Sequence, residues 1–314
     1  MPVIYSETDQ YKGMENFMEI VCIAILIGGM ADVIDRSDLV EPGAPERIVT
    51  DLQFTEGPVW HPDGYLLFSD IPANTIYKWT PDGKLEKFRS PSGNSNGLTF
   101  DRQGRLIACE HGNRRVSRTE LDGKIVVLAD KYKGKRLNSP NDVVVKSDGS
   151  VYFTDPPYGV RPEQRELDFQ GVYRIASDGA ITLLVDDFIR PNGLAFSPDE
   201  KVLYIGDTEL SHIRAFDVKS DGTLTNDRVF ADLNTREYKR PDGMKVDVNG
   251  NLYVTAGVVW IFDSTGRHIG DIVTPDAPAN CAFGRDDNKT LFITARTSVY
   301  RVQLKVPGVK VMDK

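Results

Sequence analysis

RPNGLAFSPDE at residues 190–200 returns fifty residues later as RPDGMKVDVNG at 240–250. The arginine, the proline, the glycine and the turn spacing recur, while Asn192 has become Asp242. A turn repeated this closely, with the side chain best able to bind something exchanged, calls for a search for further copies. Aligned on the same position, EGPVWHPDG begins at 56, NGLTFDRQG at 96, NDVVVKSDG at 141 and NCAFGRDDN at 280. Together these make six copies, starting 40, 45, 51, 50 and 38 residues apart. Each opens with a polar residue before a short apolar run. A second turn signal follows seven residues on, at Asp63, Gln103, Asp148, Asp199, Asn249 and Asp287.

Beyond that second turn every copy has a run rich in branched and aromatic side chains: YLLFSD, RLIACE, SVYFTD, VLYIGD, NLYVTA and TLFITA. Such runs read as β-strands. Third strands such as TIYKWTPDG and GVYRIASDG mostly close on glycine turns, which suit hairpins because glycine accepts positive φ. A fourth strand, such as IVVLAD or ITLLVDD, leads into the next copy. Each unit is then a four-stranded antiparallel sheet, and sheets of this size in tandem bury their faces by packing radially around an axis. The predicted fold is all-β: a six-bladed β-propeller with four antiparallel strands per blade. The sixth copy ends near Leu304 with only three strands. PERIVTDL at 45–52 is expected to supply the missing one, closing the ring and removing an exposed edge. Residues 41–314 are read as one propeller domain, and residues 1–40 as an N-terminal extension outside the repeats.

The rest of the composition narrows the classes of function. A net charge of −8 disfavours a nucleic-acid polyanion as partner. Cys22, Cys109 and Cys281 have neither metal-site nor disulfide spacing and read as small buried hydrophobes. The one long apolar run, IVCIAILIGGMA at 20–31, is too short to span a bilayer as a simple helix, and no membrane partner is expected. Acidic residues dominate before it, so localisation reads as cytoplasmic, with export as the alternative if residues 14–31 act as a signal. The oligomeric state leaves no mark on the sequence. There is no GxSxG elbow, and GNSNG at 93–97 lacks the lysine of a phosphate loop.

In a propeller the first strand of each blade lines the channel, so the opening residues Glu56, Asn96, Asn141, Asn192, Asp242 and Asn280 are expected around one axis. Asn-Gly and Asp-Gly are also ordinary turn dipeptides, which is the competing explanation. It accounts poorly for Glu56 and for a set made only of oxygen-bearing side chains. Converging carboxylates repel one another, and a hard divalent cation relieves the conflict. Calcium suits such oxygen donors best. Magnesium and manganese are alternatives, and zinc is disfavoured by the lack of nitrogen and sulfur ligands.

These residues resemble the SMP-30/gluconolactonase/regucalcin-like family over roughly 45–304. FTEGPVWHPDG, ACEHGNRRVSR, RLNSPNDVVVKSDGSVYFTDPPYG and RPNGLAFSPDE are most similar to its bacterial gluconolactonases. The resemblance implies a divalent ion held by Glu56, Asn192 and Asp242, with Asn141 a further ligand or substrate contact. It also implies that Asp242 accepts and donates the proton. Two features depart from the animal members. Ser139 stands where they have a substrate-binding arginine, and the region of Gly159 lacks their substrate-binding glutamate.

The expected chemistry is hydrolysis of a sugar lactone such as D-glucono-1,5-lactone to the aldonic acid. The ion polarises the carbonyl, and Asp242 or Glu56 takes the proton of the attacking water. Asn96, Asn141 and His111 are expected to bind the substrate, although His111 is open to a structural reading. The second strands also deliver Asp70, Glu110, Asp155 and Asp207 to this end, where Asp155 and Asp207 would serve either the site or blade-to-blade hydrogen bonds. His61, His212 and His268 read as turn or outer-strand residues. Hydrolysis of other lactones or organophosphates on the same site, and a non-enzymatic binding propeller, are the rival functions.

Overall fold

The second strand of every copy is apolar on both of its faces, and that property decides how the sheets assemble. The computed structural model describes residues 38–234 and 238–310. The apolar run at 20–31, Cys22 and all but the last residues of the expected extension lie outside them. Five blades follow the chain in order, each with its strands paired antiparallel from the axis outward. The first comprises β2 (Thr55–His61), β3 (Tyr65–Asp70), β4 (Thr75–Trp79) and β5 (Leu85–Arg89). The second comprises β6 (Ser95–Phe100), β7 (Leu106–Glu110), β8 (Arg115–Thr119) and β9 (Ile125–Ala129). A short hairpin, β10 (Lys131–Tyr132) with β11 (Lys135–Arg136), precedes the third, which runs β12 (Val143–Val145), β13 (Val151–Asp155), β14 (Gln170–Ile175) and β15 (Ile181–Phe188). The fourth is β16 (Pro191–Phe196), β17 (Val202–Asp207), β18 (His212–Val218) and β19 (Leu224–Asp232). The fifth is β20 (Met244–Val246), β21 (Leu252–Thr255), β22 (Val259–Phe262) and β23 (His268–Ile272).

The sixth blade joins the two ends of the repeat region. β24 (Pro278–Gly284), β25 (Thr290–Ala295) and β26 (Ser298–Gln303) are completed by β1 (Glu46–Val49), with Glu46 opposite Arg301 and Val49 opposite Val299. This is the closing strand that the sequence predicts at 45–52. An Arg301–Glu46 ion pair at 2.8 Å fastens it from outside.

The core is divided among the six blade interfaces, one apolar cluster at each. Successive side chains of a strand point to opposite faces, so each second strand serves two neighbours. In β3, Leu66 and Phe68 pack on the sixth blade and Leu67 on the second. In β17, Leu203 and Ile205 pack on the third blade and Tyr204 on the fifth. This explains the unbroken apolar runs, which a sheet with one solvated face would not need. Cys109 and Cys281 are free thiols buried in two of these clusters, as expected of small hydrophobes. His61 differs from its expected place. It ends the innermost strand β2, stacked on Tyr65 at 4.6 Å and edge-on to Phe100 at 4.8 Å.

Candidate functional site

The six opening residues begin or immediately precede the innermost strands, and their side chains form a chain of contacts at one end of the axial channel. The Asn96 amide donates to Asn141 Oδ1 at 2.6 Å, and the Asn141 amide donates to Asn192 Oδ1 at 2.5 Å. Asn192 in turn hydrogen-bonds Asp242, Asp242 feels the charge of Glu56, and Glu56 hydrogen-bonds Asn280. Residues spread over more than two hundred positions thus meet at one mouth.

The residue after each opener explains how they come so close. Gly97 N–H donates to the Asn141 carbonyl at 2.8 Å, Gly193 N–H to that of Asp242 at 3.0 Å, and Gly243 N–H to that of Ala279 at 2.9 Å. A Cβ on Gly57 would lie 2.0 Å from the Asn96 carbonyl oxygen, and one on Gly193 2.2 Å from that of Asp242. Only glycine permits this approach of neighbouring inner strands. Of the four, Gly57 alone has a left-handed φ, +49°. The Asn-Gly and Asp-Gly pairs are therefore contact points between blades, not turns.

The third copy breaks this pattern with Asp142 in the glycine column. Asp142 is buried, accepts the Val143 N–H at 2.9 Å through Oδ1, and leaves Oδ2 without a partner. Its position beside Gly97 makes it a third acid just inside the ring. The six-copy alignment contains the signal for it, because an acid stands where most copies keep glycine.

Burial dominates the electrostatics. It pushes the Glu56 carboxyl up to about 7, with the Asp142 charge adding to the rise while the Gly57 N–H and Asn280 oppose it. Burial and then the neighbouring Glu56 charge raise Asp242 well above the usual carboxylate range. Neither acid makes an ion pair within the described residues. The His111 imidazole is pushed down to about 4 by burial, so it stays neutral near neutral pH. Its Nε2 lies 3.1 Å from Asn141 Oδ1 and 3.3 Å from Asn96 Nδ2, which joins it to the ring.

The donor set suits a hard cation. Glu56 and Asp242 supply two charges, and their raised proton affinities express burial first and repulsion between neighbouring acids second, both of which a divalent ion would offset. A carboxamide oxygen has two lone pairs, so Asn192 Oδ1 can accept its one ring hydrogen bond and retain a ligand position, while Asn141 Oδ1 is approached by both the Asn96 amide and His111 Nε2 and would ligate by giving up the histidine contact. Among the described residues no group of three or more His, Cys, Asp or Glu forms a metal cluster, so any ion held here depends on the amides.

The acids at the ends of the second strands have another task. Asp70 accepts the N–H groups of Gln53 at 3.0 Å and Phe54 at 3.1 Å. Asp207 accepts those of Ile189, Arg190, Glu209 and Leu210 at 2.8–3.2 Å. Asp155 accepts the Asn138 N–H at 2.8 Å, and Glu110 is clamped by Arg89, Arg115 and Ser117. They tie incoming loops and neighbouring blades together, which decides the open choice for Asp155 and Asp207. Ser139 is fully buried, with a hydroxyl that has no partner, so this position is closed to solvent.

Two side chains at the mouth escape the sequence reading. The Asn192 amide donates to Thr208 Oγ1 at 3.0 Å and to the Tyr158 hydroxyl at 3.3 Å. Tyr158 also stacks near His111, ring centres 6.2 Å apart, and carries the Arg190 guanidinium over its ring, 5.4 Å from the centroid. Thr208 could have been found from its place directly after Asp207. Tyr158 sits in the PPYG loop, whose path no periodicity fixes.

Fold and mouth define a class of protein: closed six-bladed propellers with an oxygen-lined site at one end of the axial channel. The chain belongs to the SMP-30/gluconolactonase/LRE-like family, whose profile matches residues 54–297. It is 37% identical over 292 residues to the gluconolactonase of Zymomonas mobilis subsp. mobilis, covering 84% of this chain and 82% of that one. It is 28% identical over 261 residues to pentonolactonase XacC of Haloferax volcanii, covering 79% and 84%. A solved gluconolactonase from Xanthomonas campestris superposes with a TM-score of 0.77 at 35% identity, covering 85% of this chain and 96% of that one. The family resemblance read from the sequence is borne out.

Proposed function

We propose that this mouth hydrolyses a sugar lactone of the D-glucono-1,5-lactone kind, with a divalent cation held by Glu56, Asn141, Asn192 and Asp242. The chain is an enzyme of the gluconolactonase type, and its small-molecule substrate is a lactone. The observation that carries the reading is the meeting of Glu56, Asn192 and Asp242 at one mouth, with no cation of the described residues ion-paired to either acid. When bound, the cation (calcium first, with magnesium, manganese or zinc as alternatives) supplies Lewis-acid polarisation of the lactone carbonyl.

The chain's own groups do the rest. Asp242, the acid of the ring with partial access to solvent, accepts a proton from water as the water oxygen attacks the carbonyl carbon. The bond from that carbon to the ring oxygen then breaks, and the same proton passes from Asp242 to the departing oxygen, giving the open aldonic acid. Glu56, deeper and held by the Gly57 N–H at 2.7 Å, is better placed to fix the ligand set than to exchange protons. Asn96, Asn141 and neutral His111 offer donors and acceptors to sugar hydroxyls. With Ser139 buried, sugar orientation falls to this amide–histidine side and to Tyr158.

A second reading, another lactone, is favoured by the likeness to a pentonolactonase. Hydrolysis of glucono-1,5-lactone and of a pentonolactone should be measured before and after chelation with EDTA, then with calcium, magnesium, manganese or zinc restored. Turnover should disappear with chelator and return most fully with calcium. Turnover indifferent to the chelator would remove the cation from the proposal. No turnover of any lactone or phosphotriester in a panel would leave a binding propeller.

A further inference from the structure

At its other end the axial channel opens into a cavity of about 570 Å3. All six blades reach it through the far halves of their innermost strands, with Val59, Leu98, Val144, Phe196, Val246 and Phe283 in the wall. The volume is that of an ordinary small-molecule pocket, and such pockets are largely apolar with a few placed polar groups.

The charged groups of this cavity are unbalanced. Arg102, Lys245, Arg285 and Lys310 line it, from the second, fifth and sixth blades and the C-terminal tail. None of the four makes an ion pair among the described residues, and Arg285 keeps a buried Nε with no hydrogen-bond partner. The acids of the lining are already engaged. Glu200 accepts the Ser147 N–H at 2.7 Å and pairs with Lys146 at 3.3 Å, Asp199 pairs with Lys201 at 3.4 Å, and Asp286 has an interaction of its own. Lys245 donates to the Met244 carbonyl at 3.0 Å, which leaves Arg102, Arg285 and Lys310 as the cations facing the opening, against a net charge of −8 for the chain. They leave positive potential at the rim of an apolar hollow.

We propose that this rear opening binds a small organic anion with an apolar body, its carboxylate or phosphate held by Arg102, Arg285 and Lys310 and its body lying against Trp60 and Phe283. Guanidinium groups pair oxyanions through forked donors, and the apolar wall accepts what an inorganic ion would not fill. The proposal is independent of lactone turnover, because no group of the amide ring takes part.

The probe is 1-anilinonaphthalene-8-sulfonate, an anion with an aromatic body, titrated into the full chain and followed by its fluorescence. One saturable site is expected, weakening as salt is raised. Phenyl phosphate and phenylacetate, added as separate competitors, distinguish a phosphate from a carboxylate ligand, and inorganic phosphate alone should compete poorly. In the double variant Arg102→Gln/Lys310→Gln the Kd should rise about tenfold or more, with gluconolactone turnover unchanged. Both side chains are exposed, so the fold is not at stake, and an unchanged thermal midpoint checks this. Asp242→Asn should bind the dye as the parent chain does. The proposal is overturned by the absence of a saturable site, by an unchanged Kd in the double variant, or by loss of dye binding in Asp242→Asn, which would put the dye at the other mouth.

Discussion

The front end of the channel collects the first residues of the six innermost strands, and the rear end collects their last ones. At the front, Glu56 and Asp142 are buried and Asp242 is half-buried among amides, and no lysine or arginine makes an ion pair with them in the described residues. At the rear, Arg102, Arg285 and Lys310 line an apolar hollow whose acids Glu200 and Asp199 pair with Lys146 and Lys201. One repeat builds both ends. In a propeller, the position of a residue within the repeat fixes which end of the axis it reaches, so six small sequence changes in one column create a site at one mouth only. The two ends are joined by Lys245, whose charge is felt by both Glu56 and Asp142.

The largest contrast between the ends should come from Asp242→Asn. The substitution keeps the shape and one oxygen but removes the proton acceptor and one of two ring charges. Loss of a general base costs roughly 10²–10⁴-fold in rate, and lost cation affinity adds to it, so kcat/KM for the lactone should fall by about 10³-fold or more. Removing a buried charge that burial and Glu56 already disfavour should leave the thermal midpoint equal or higher. Retention of a tenth of the activity at saturating calcium would move the proton transfer to another residue.

Much of this was legible in the chain. The blades and the closing strand β1 follow from a period of about 38–51 residues and from apolar alternation, because burial on both faces leaves a pattern in every copy. The ring openers were legible for the same reason, being one column of six. What the sequence could not place were side chains outside the period. Tyr158 belongs to a loop between β13 and β14 with no counterpart in the other blades, and Arg190 meets it only across two blades. The carboxylates at the strand ends were visible but ambiguous, since an Asp that caps backbone N–H groups and an Asp that serves chemistry look alike until their partners are known. The glycines were misleading in a subtler way. Asn-Gly suggests a turn by local rule, whereas here the constraint is the inner strand of the next blade, as where Gly97 N–H meets the Asn141 carbonyl.

That constraint gives the second prediction, which concerns the waist between the two mouths. Gly193→Ala would place a Cβ 2.2 Å from the Asp242 carbonyl oxygen, and backbone cannot withdraw as a flexible side chain can. Overpacking of this kind costs about 3 kcal/mol, read as a lower urea midpoint with an unchanged slope. Because the displaced strand carries Asp242, lactone turnover should fall as well, while dye binding at the rear mouth changes less. An alanine variant with parental stability would show that the fourth and fifth blades can separate freely, and the account of the glycine column would fail. Gly104→Ala is the control: the nearest heavy atom to its added Cβ is 3.7 Å away, so any loss there reflects its left-handed φ of +76° alone.

The smallest effect should appear at Asp155, which shares the front end with the ring but not its chemistry. Burial pushes its carboxyl from the ordinary 3.8 up to about 7, although the Asn138 N–H favours the charged form, and Oδ1 has no partner. Across that interval the folded chain holds a proton that the unfolded chain has released. Stability is therefore greatest below the unfolded value and declines as pH rises through the folded one. Asn at this position keeps an acceptor for the Asn138 N–H and never ionises. The Asp155→Asn variant should therefore gain steadily on the parent between about pH 4 and 7 and hold that lead above it, measured as the difference of their urea stabilities at each pH. The parallel difference for Arg102→Gln at the rear mouth should stay flat over the same range, since no buried carboxyl there depends on it. Equal slopes for Asp155→Asn and the parent would mean that the capped carboxylate is charged throughout. The front end would then hold its acids by backbone N–H groups more strongly than burial opposes them.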